Sequence, residues 1–383
     1  MRKWIADGLK MLLALCTVFV IMEVVFRVGA YAWNGSEYFL FYGFHSYVGK
    51  VGISPWSTFQ GEYYKFPPNY VLHGADGQGT ETASTNAFGF RGPAFDGAKP
   101  AGVFRVVCLG ESSTFGYHNA DDETYPVLLE RRFSQAQLPV EVINAGFPYY
   151  NSGSILSLLR AEVLQLQPDL ITLYAGYNDT SWPIQVSPTA RAALWTQSHS
   201  ITYLFMRSAL RRFAFRVEQG VLEGLMPQRL RADELLKDME VVAQRYRRNV
   251  QAIIADARSR HIEIVLIRQP VTARAPGYEK LSYEAENETI RRRFERDEPL
   301  TYIDVWMLKQ RRLTAEFDQI ARQANLTVVD NVKIVDQDRR RLASWVHLTA
   351  EGNERLAEAL EAAIRPYVLR TRGSGTAGAA GTR

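Results

Sequence analysis

The chain has only two cysteines in 383 residues. Cys16 stands in an apolar N-terminal run and Cys108 in a Val/Leu-rich stretch that reads as core, so no disulfide between them is expected. A chain of this length needs none to hold a core together. Its histidines, His45, His73, His118, His199, His261 and His347, are dispersed and lack ligand spacing, and no metal centre is expected. No glycine-rich nucleotide loop follows a strand, so no cofactor is expected either. A strong charge of one sign is also missing. With 45 basic against 41 acidic residues the net charge is +4, which gives no footprint for nucleic acid. A chain that is 46% hydrophobic and 22% charged is neither disordered nor fibrous, and it can bury a full α/β core.

What is present begins with one long hydrophobic run. Met11 to Met22 carries no charge, and the apolar character continues to Trp33, interrupted by Glu23 and Arg27. These two are four apart and would pair on one face of a helix. From residue 9 to residue 33 the run exceeds the roughly 20 residues that cross a bilayer. Arg2, Lys3 and Lys10 precede it, which predicts a cytoplasmic N-terminus and an exported remainder. The rival reading is a signal peptide cleaved after Ala30-Tyr31-Ala32, but the long run and its two internal charges favour an uncleaved anchor over residues 1–34. Residues 35–100 are rich in aromatics, Gly and Pro and read as a collar of short strands and turns. Within it, Asn86, Phe88, Gly89, Phe90 and Arg91 have packing as their default role, with a place at a substrate entrance as the alternative.

The chain is organised around Arg105 to Gly116, RVVCLGESSTFG. A Val/Leu-rich run fits a strand buried on both faces, the Gly/Ser turn ends it, and helical spacing follows in ETYPVLLERRF. VEVINA (140–145), DLITLYA (169–175), IEIVLI (262–267) and LTVV (326–329) are further buried strands, separated by helical stretches. Strands alternating with helices predict a parallel sheet with right-handed crossovers, so the polar residues that close each strand share one carboxyl edge. Ser112, Gly146 and Asn178 would then meet although far apart in sequence. Helical insertions are expected over about 180–260 and 272–323. The first carries basic clusters at 207–216 and 229–231, read as a solvated helix face, with anionic headgroups or an acidic glycan as the alternative. A terminal helix should follow Thr349, and residues 371–383 read as a disordered tail.

A serine hydroxyl needs a base to become a nucleophile, and an imidazole suits that task. Among the histidines only His347 sits in a loop directly before a final helix, where the chain can return to the sheet edge. A tetrahedral oxyanion needs donors aimed at it, which the Ser112 amide, the Gly146 amide and the Asn178 side chain would supply.

GESST at 110–114, a lone Gly after a strand, GYND at 176–179 and VHLT at 346–349 resemble, in order and in context, the four blocks of the SGNH hydrolases, also called the GDSL family. The resemblance covers about residues 103–368, within a catalytic domain at 101–370. It implies an α/β three-layer sandwich with a mostly parallel, flavodoxin-like sheet. It implies Ser112 as nucleophile, Gly146 and Asn178 as the oxyanion hole and His347 as base, with Glu111 and Asp179 supporting. Two departures stand out. Glu111 replaces the usual aspartate before the nucleophile, and Ser344 stands three residues before His347, where the triad aspartate is expected. The orienting group is thus left open among Asp336, Asp338, the Ser344 hydroxyl and a backbone carbonyl, and a slow or silent enzyme stays an alternative. The resemblance implies an esterase or acyltransferase at the bacterial inner membrane, its domain outside the cytoplasm. An acylated envelope or exported glycan would be its substrate, or alternatively a lipid ester or thioester.

Overall fold

The computed structural model describes residues 2–34, 63, 65–66, 68–73, 82–181, 202, 232–272, 281–298, 300 and 302–379. The basic clusters at 207–216 and 229–231 and most of residues 35–81 lie outside the described residues. The chain divides into two compact units, residues 1–57 with 185–226, and residues 58–184 with 227–383.

In the first unit, helix α1 spans Arg2–Asn34. Its segment Ala6–Gly29 is long and apolar enough to cross a membrane by length and composition. Arg27 Nε donates to Glu23 Oε1 at 3.0 Å, and the other Glu23 oxygen accepts from the Thr202 amide at 3.0 Å. Paired in this way, the two charges no longer stand isolated within the apolar run.

The second unit is built on a five-stranded parallel sheet in the order β4-β3-β5-β6-β7. The strands are β3 (Phe104–Gly110), β4 (Val140–Gly146), β5 (Leu170–Tyr174), β6 (Glu263–Arg268) and β7 (Thr327–Asp330). β3 and β5 are buried on both faces, which is why their sequences run apolar without alternation. On one face Val106, Cys108, Val142 and Ile267 pack with Tyr125, Leu129 and Phe133 of α3 (Tyr125–Gln135) and with Leu356, Leu360 and Ile364 of α10 (Ala350–Ala379). On the same side lies α9 (Asn331–Gln337). Further helices among the described residues are α4 (Ser152–Ala161), α6 (Ala232–Arg258), α7 (Tyr283–Glu295) and α8 (Tyr302–Gln323), with α6 packed on both α4 and α8. This is the mostly parallel α/β sandwich expected from the alternation of strands and helices.

The register places Gly110 opposite both Gly146 and Tyr174, so β3, β4 and β5 end at one level. From β3 the chain moves outward to β4, whereas from β5 it moves the other way to β6. Such a reversal opens a crevice at the carboxyl edge between β3 and β5. The short helices α2 (Ser112–Phe115) and α5 (Tyr177–Ser181) begin there.

The antiparallel pair β1 (Val71–His73) and β2 (Thr82–Ser84) precedes this sheet. The residues on either side of this pair pack on the main domain: Phe90 is buried against Phe147, and Phe66 lies between Phe115 and Phe147. Buried Arg105 also fastens the stretch after β2, donating to the carbonyls of Asp96, Gly97 and Leu166 and pairing with Glu141. At the other end α10 runs to Ala379, so residues 371–379 are helical where composition suggested a tail. Extending an existing helix costs far less than nucleating one, which lets Ala, Thr and Gly be carried along.

Candidate active site

Ser112 opens α2 directly after the central strand, and His347 arrives from the loop before α10. His347 Nε2 and Ser112 Oγ are 2.8 Å apart. Two hydrogen bonds fix the meeting from either side of the imidazole: Ser113 Oγ donates to the Val346 carbonyl at 3.2 Å, and Asn119 Nδ2 donates to the Leu348 carbonyl at 3.0 Å. The segment after Ser112 therefore holds the backbone on both sides of His347. The rings of Tyr117 and His118 lie against the imidazole, with centroids 5.3 and 5.2 Å away.

Ser344 Oγ lies 2.8 Å from His347 Nδ1. The same oxygen accepts from the backbone N–H groups of His347 at 3.0 Å and Val346 at 3.3 Å. With its lone pairs facing those amides, the hydroxyl has its proton left for Nδ1. The resting imidazole then carries its own proton on Nε2, facing Ser112. A base needs the opposite tautomer, which forms when Ser344 turns to accept from Nδ1–H and weakens a backbone bond. Among the described residues no carboxylate pairs with the ring. Its enclosure, followed by the charge of His118, pushes the His347 pKa down to about 3.

The other two candidates for an orienting acid are occupied elsewhere. Asp336 accepts from the Tyr283 amide at 2.9 Å and pairs with Arg339 at 3.0 Å. Asp338 caps the Arg340 amide and binds its guanidinium, which holds the pKa of the half-buried carboxylate down at about 2. Neither reaches His347.

Glu111, the residue before Ser112, is fully buried and accepts from the amides of Gly176 at 2.8 Å and Asn178 at 3.2 Å. Burial, followed by repulsion from Asp179, raises its pKa to about 8 against these bonds. Asp179, also buried and also raised by burial, accepts from the amide and hydroxyl of Ser152 at 2.9 and 2.6 Å. The pair brackets Asn178, whose Nδ2 donates to the Tyr150 carbonyl at 2.8 Å. Asn178 is thus pinned at the crevice with one amide hydrogen committed.

Gly146 differs from its expected part. Its amide donates to Asn144 Oδ1 at 3.0 Å, so it is not presented to a substrate. The need for glycine lies below the site: a Cβ there would stand 2.3 Å from the Phe115 nitrogen and 2.6 Å from the Thr114 carbonyl carbon. Gly146 lets α2 lie directly on β4.

Sequence reasoning passed over Tyr117, His118 and Asn119, although all three follow the GESST block within seven residues. An aromatic rim was missed as well. Trp345 is 37% exposed and donates its indole N–H to the Tyr177 hydroxyl at 2.6 Å, while Tyr177 packs on Trp306 with centroids 5.0 Å apart. Its position beside both Asn178 and His347 was the available signal.

Three solved structures show what the chain is similar to. A lipase/acylhydrolase from Enterococcus faecalis is 18% identical, with 69% of this chain and 96% of that one covered and a TM-score of 0.40. An acetyl xylan esterase is 14% identical over 68% of this chain and all of its own, with a TM-score of 0.41. A psychrotrophic esterase from Pseudoalteromonas sp. is 14% identical over 69% and 98%, with a TM-score of 0.40. No curated protein matches the chain. Residues 108–355, well over half of the sequence, match the model of the GDSL-like lipase/acylhydrolase family, and the chain belongs to that family.

Proposed function

We propose that the protein is a membrane-anchored serine O-acyl esterase or acyltransferase that acts on O-acyl groups, acetyl above all, of envelope or exported polysaccharide. The observation that carries the reading is the 2.8 Å approach of His347 Nε2 to Ser112 Oγ at the end of the central strand. In the reaction Ser112 Oγ attacks the ester carbonyl while His347 takes its proton. The Ser112 amide and the remaining Asn178 amide hydrogen receive the oxyanion. Collapse of the tetrahedral species expels the alcohol, which takes the proton back from His347 and leaves an acyl-serine. Water or a sugar hydroxyl then attacks that ester, with His347 again taking and returning the proton. The apolar helix with its leading positive charges supports an anchored, extracytoplasmic domain. The half-exposed Trp345, two residues before His347 and bonded to Tyr177 next to Asn178, supports a glycan acceptor, since an indole face stacks on a sugar ring.

A fluorophosphonate probe should label the protein at Ser112, and Ser112→Ala should abolish labelling in a folded chain. Acetate released from an acetylated polysaccharide, and little cleavage of long-chain esters, would support the glycan reading. The reverse pattern favours a lipid or thioester acylhydrolase. Ser344 favours a second reading, a catalytically silent glycan-binding module, which absence of labelling in the folded wild-type protein would select.

A further inference from the structure

The family match begins at residue 108, yet a side chain from before it reaches the site. Arg91 is buried in full, and its guanidinium spends its donors on one short segment. Nη1 donates to the carbonyls of Phe115 at 2.9 Å and Gly116 at 2.8 Å, Nη2 to the carbonyl of Asn119 at 2.7 Å, and Nε to Asp121 Oδ1 at 2.9 Å. The plane stacks over the Phe115 ring, 4.8 Å from its centroid. Three backbone carbonyls at three angles need a planar fork of donors, which lysine does not have. These carbonyls belong to the stretch that leaves the nucleophile's helix, where Gly116 is left-handed at φ +89° and the chain turns back toward the histidine loop.

That stretch does two things to His347. It sets the Tyr117 and His118 rings against the imidazole, and through Asn119 it holds the Leu348 carbonyl. In a triad, a carboxylate would anchor the ring by charge. Here, among the described residues, Nδ1 meets only a hydroxyl, so the ring's attitude depends on the wall beside it and on the backbone it hangs from.

We infer that Arg91 is a positioning residue for the Ser112–His347 pair: by clamping residues 115–119 it fixes the wall and the backbone hold that keep the imidazole aligned in the absence of a triad carboxylate. The inference rests on the reading of His347 as the base acting on Ser112. It also makes the segment before the family domain a working part of the enzyme.

The test compares wild-type protein with Arg91→Lys and with Asn119→Ala, which removes the hold on Leu348 while leaving every Arg91 bond in place. Two readouts are followed in full-length protein whose folding is checked by circular dichroism: the rate of Ser112 labelling by a fluorophosphonate, and the titration of the His347 ring by NMR on histidine-labelled protein. Both variants should label about 10- to 100-fold more slowly, the scale on which a misplacement near 1 Å acts. In both, the ring should titrate at higher pH than in wild type, because a displaced imidazole is better solvated. Guanidinium ion added to Arg91→Ala should restore part of the labelling rate. A uniform loss of folded protein would leave the ring titration of the folded fraction where it was. If Arg91→Lys does not fold, Arg91→Ala compared with and without added guanidinium ion decides in its place. Unchanged labelling and unchanged titration in a folded variant overturn the inference. Absence of labelling in the wild type instead overturns the esterase reading, and the ring titration still reports whether Arg91 and Asn119 set the imidazole.

Discussion

Ser344 Oγ meets His347 Nδ1 at 2.8 Å, where a triad would place a carboxylate oxygen. A hydroxyl supplies direction without charge. Two backbone amides already face the Ser344 oxygen, so the resting bond favours the tautomer that cannot accept the Ser112 proton. Ser344→Asp should therefore be a gain of function. A carboxylate accepts from the same two amides and from Nδ1–H, fixes the productive tautomer and stabilises the imidazolium. Turnover of p-nitrophenyl acetate is expected to rise at least tenfold, a fraction of the roughly 10⁴ that loss of this group costs a serine protease. The sign of the pH effect follows from charge. A neighbouring anion favours the protonated ring, so the His347 pKa, held down chiefly by burial, should rise toward the ordinary imidazole range, and the acid limb of kcat/KM should move up with it. Asp336→Asn and Asp338→Asn serve as controls with turnover close to wild type, because both carboxylates are bound elsewhere.

Gly146 is expected to tolerate no side chain, for a reason of packing. The Gly146→Ala methyl would press on the backbone of Thr114 and Phe115 rather than on a flexible side chain tip. Either β4 or α2 must move, and overpacking of this kind costs about 1–3 kcal/mol. Thermal unfolding should shift down accordingly, and Ser112 labelling should fall with it, because the displaced helix carries Ser112. A variant with unaltered melting temperature but lost labelling would point instead to a direct role of the Gly146 amide.

The sheet was legible because its strands are buried on both faces, and Val106 to Leu109 or Ile264 to Ile267 can hardly be anything but interior. Their ends were legible too, since Gly110, Gly146 and the Gly176 turn interrupt apolar runs with small or polar residues. That pointed to the level at which Ser112 and Asn178 lie. Other features left no trace in local pattern. Arg91 binds carbonyls 24 to 28 residues onward, and carbonyls look alike in every sequence. Gly146 reads the same whether an amide or a close backbone contact requires it. The choice among Ser344, Asp336 and Asp338 depended on where the chain turns after β7, which no periodicity encodes.

Glu111 gives the molecule a pH dependence that runs against the usual behaviour of carboxylates. Its folded pKa, raised to about 8 chiefly by burial and then by Asp179, lies above the unfolded value of about 4.5. The folded state thus holds a proton that the unfolded chain releases. The stability this contributes is complete below the unfolded pKa and is lost as pH rises through the folded one. In Glu111→Gln the amide oxygen can still accept from the Gly176 and Asn178 amides, and no proton is at stake. The variant's melting temperature should match or fall below wild type near pH 5 and exceed it near pH 9, so that the two curves cross. Because Glu111 holds the backbone of Asn178, alkaline loss of Ser112 labelling should be smaller in the variant as well. Parallel melting curves across that range would show that the buried carboxyl does not change its protonation on unfolding.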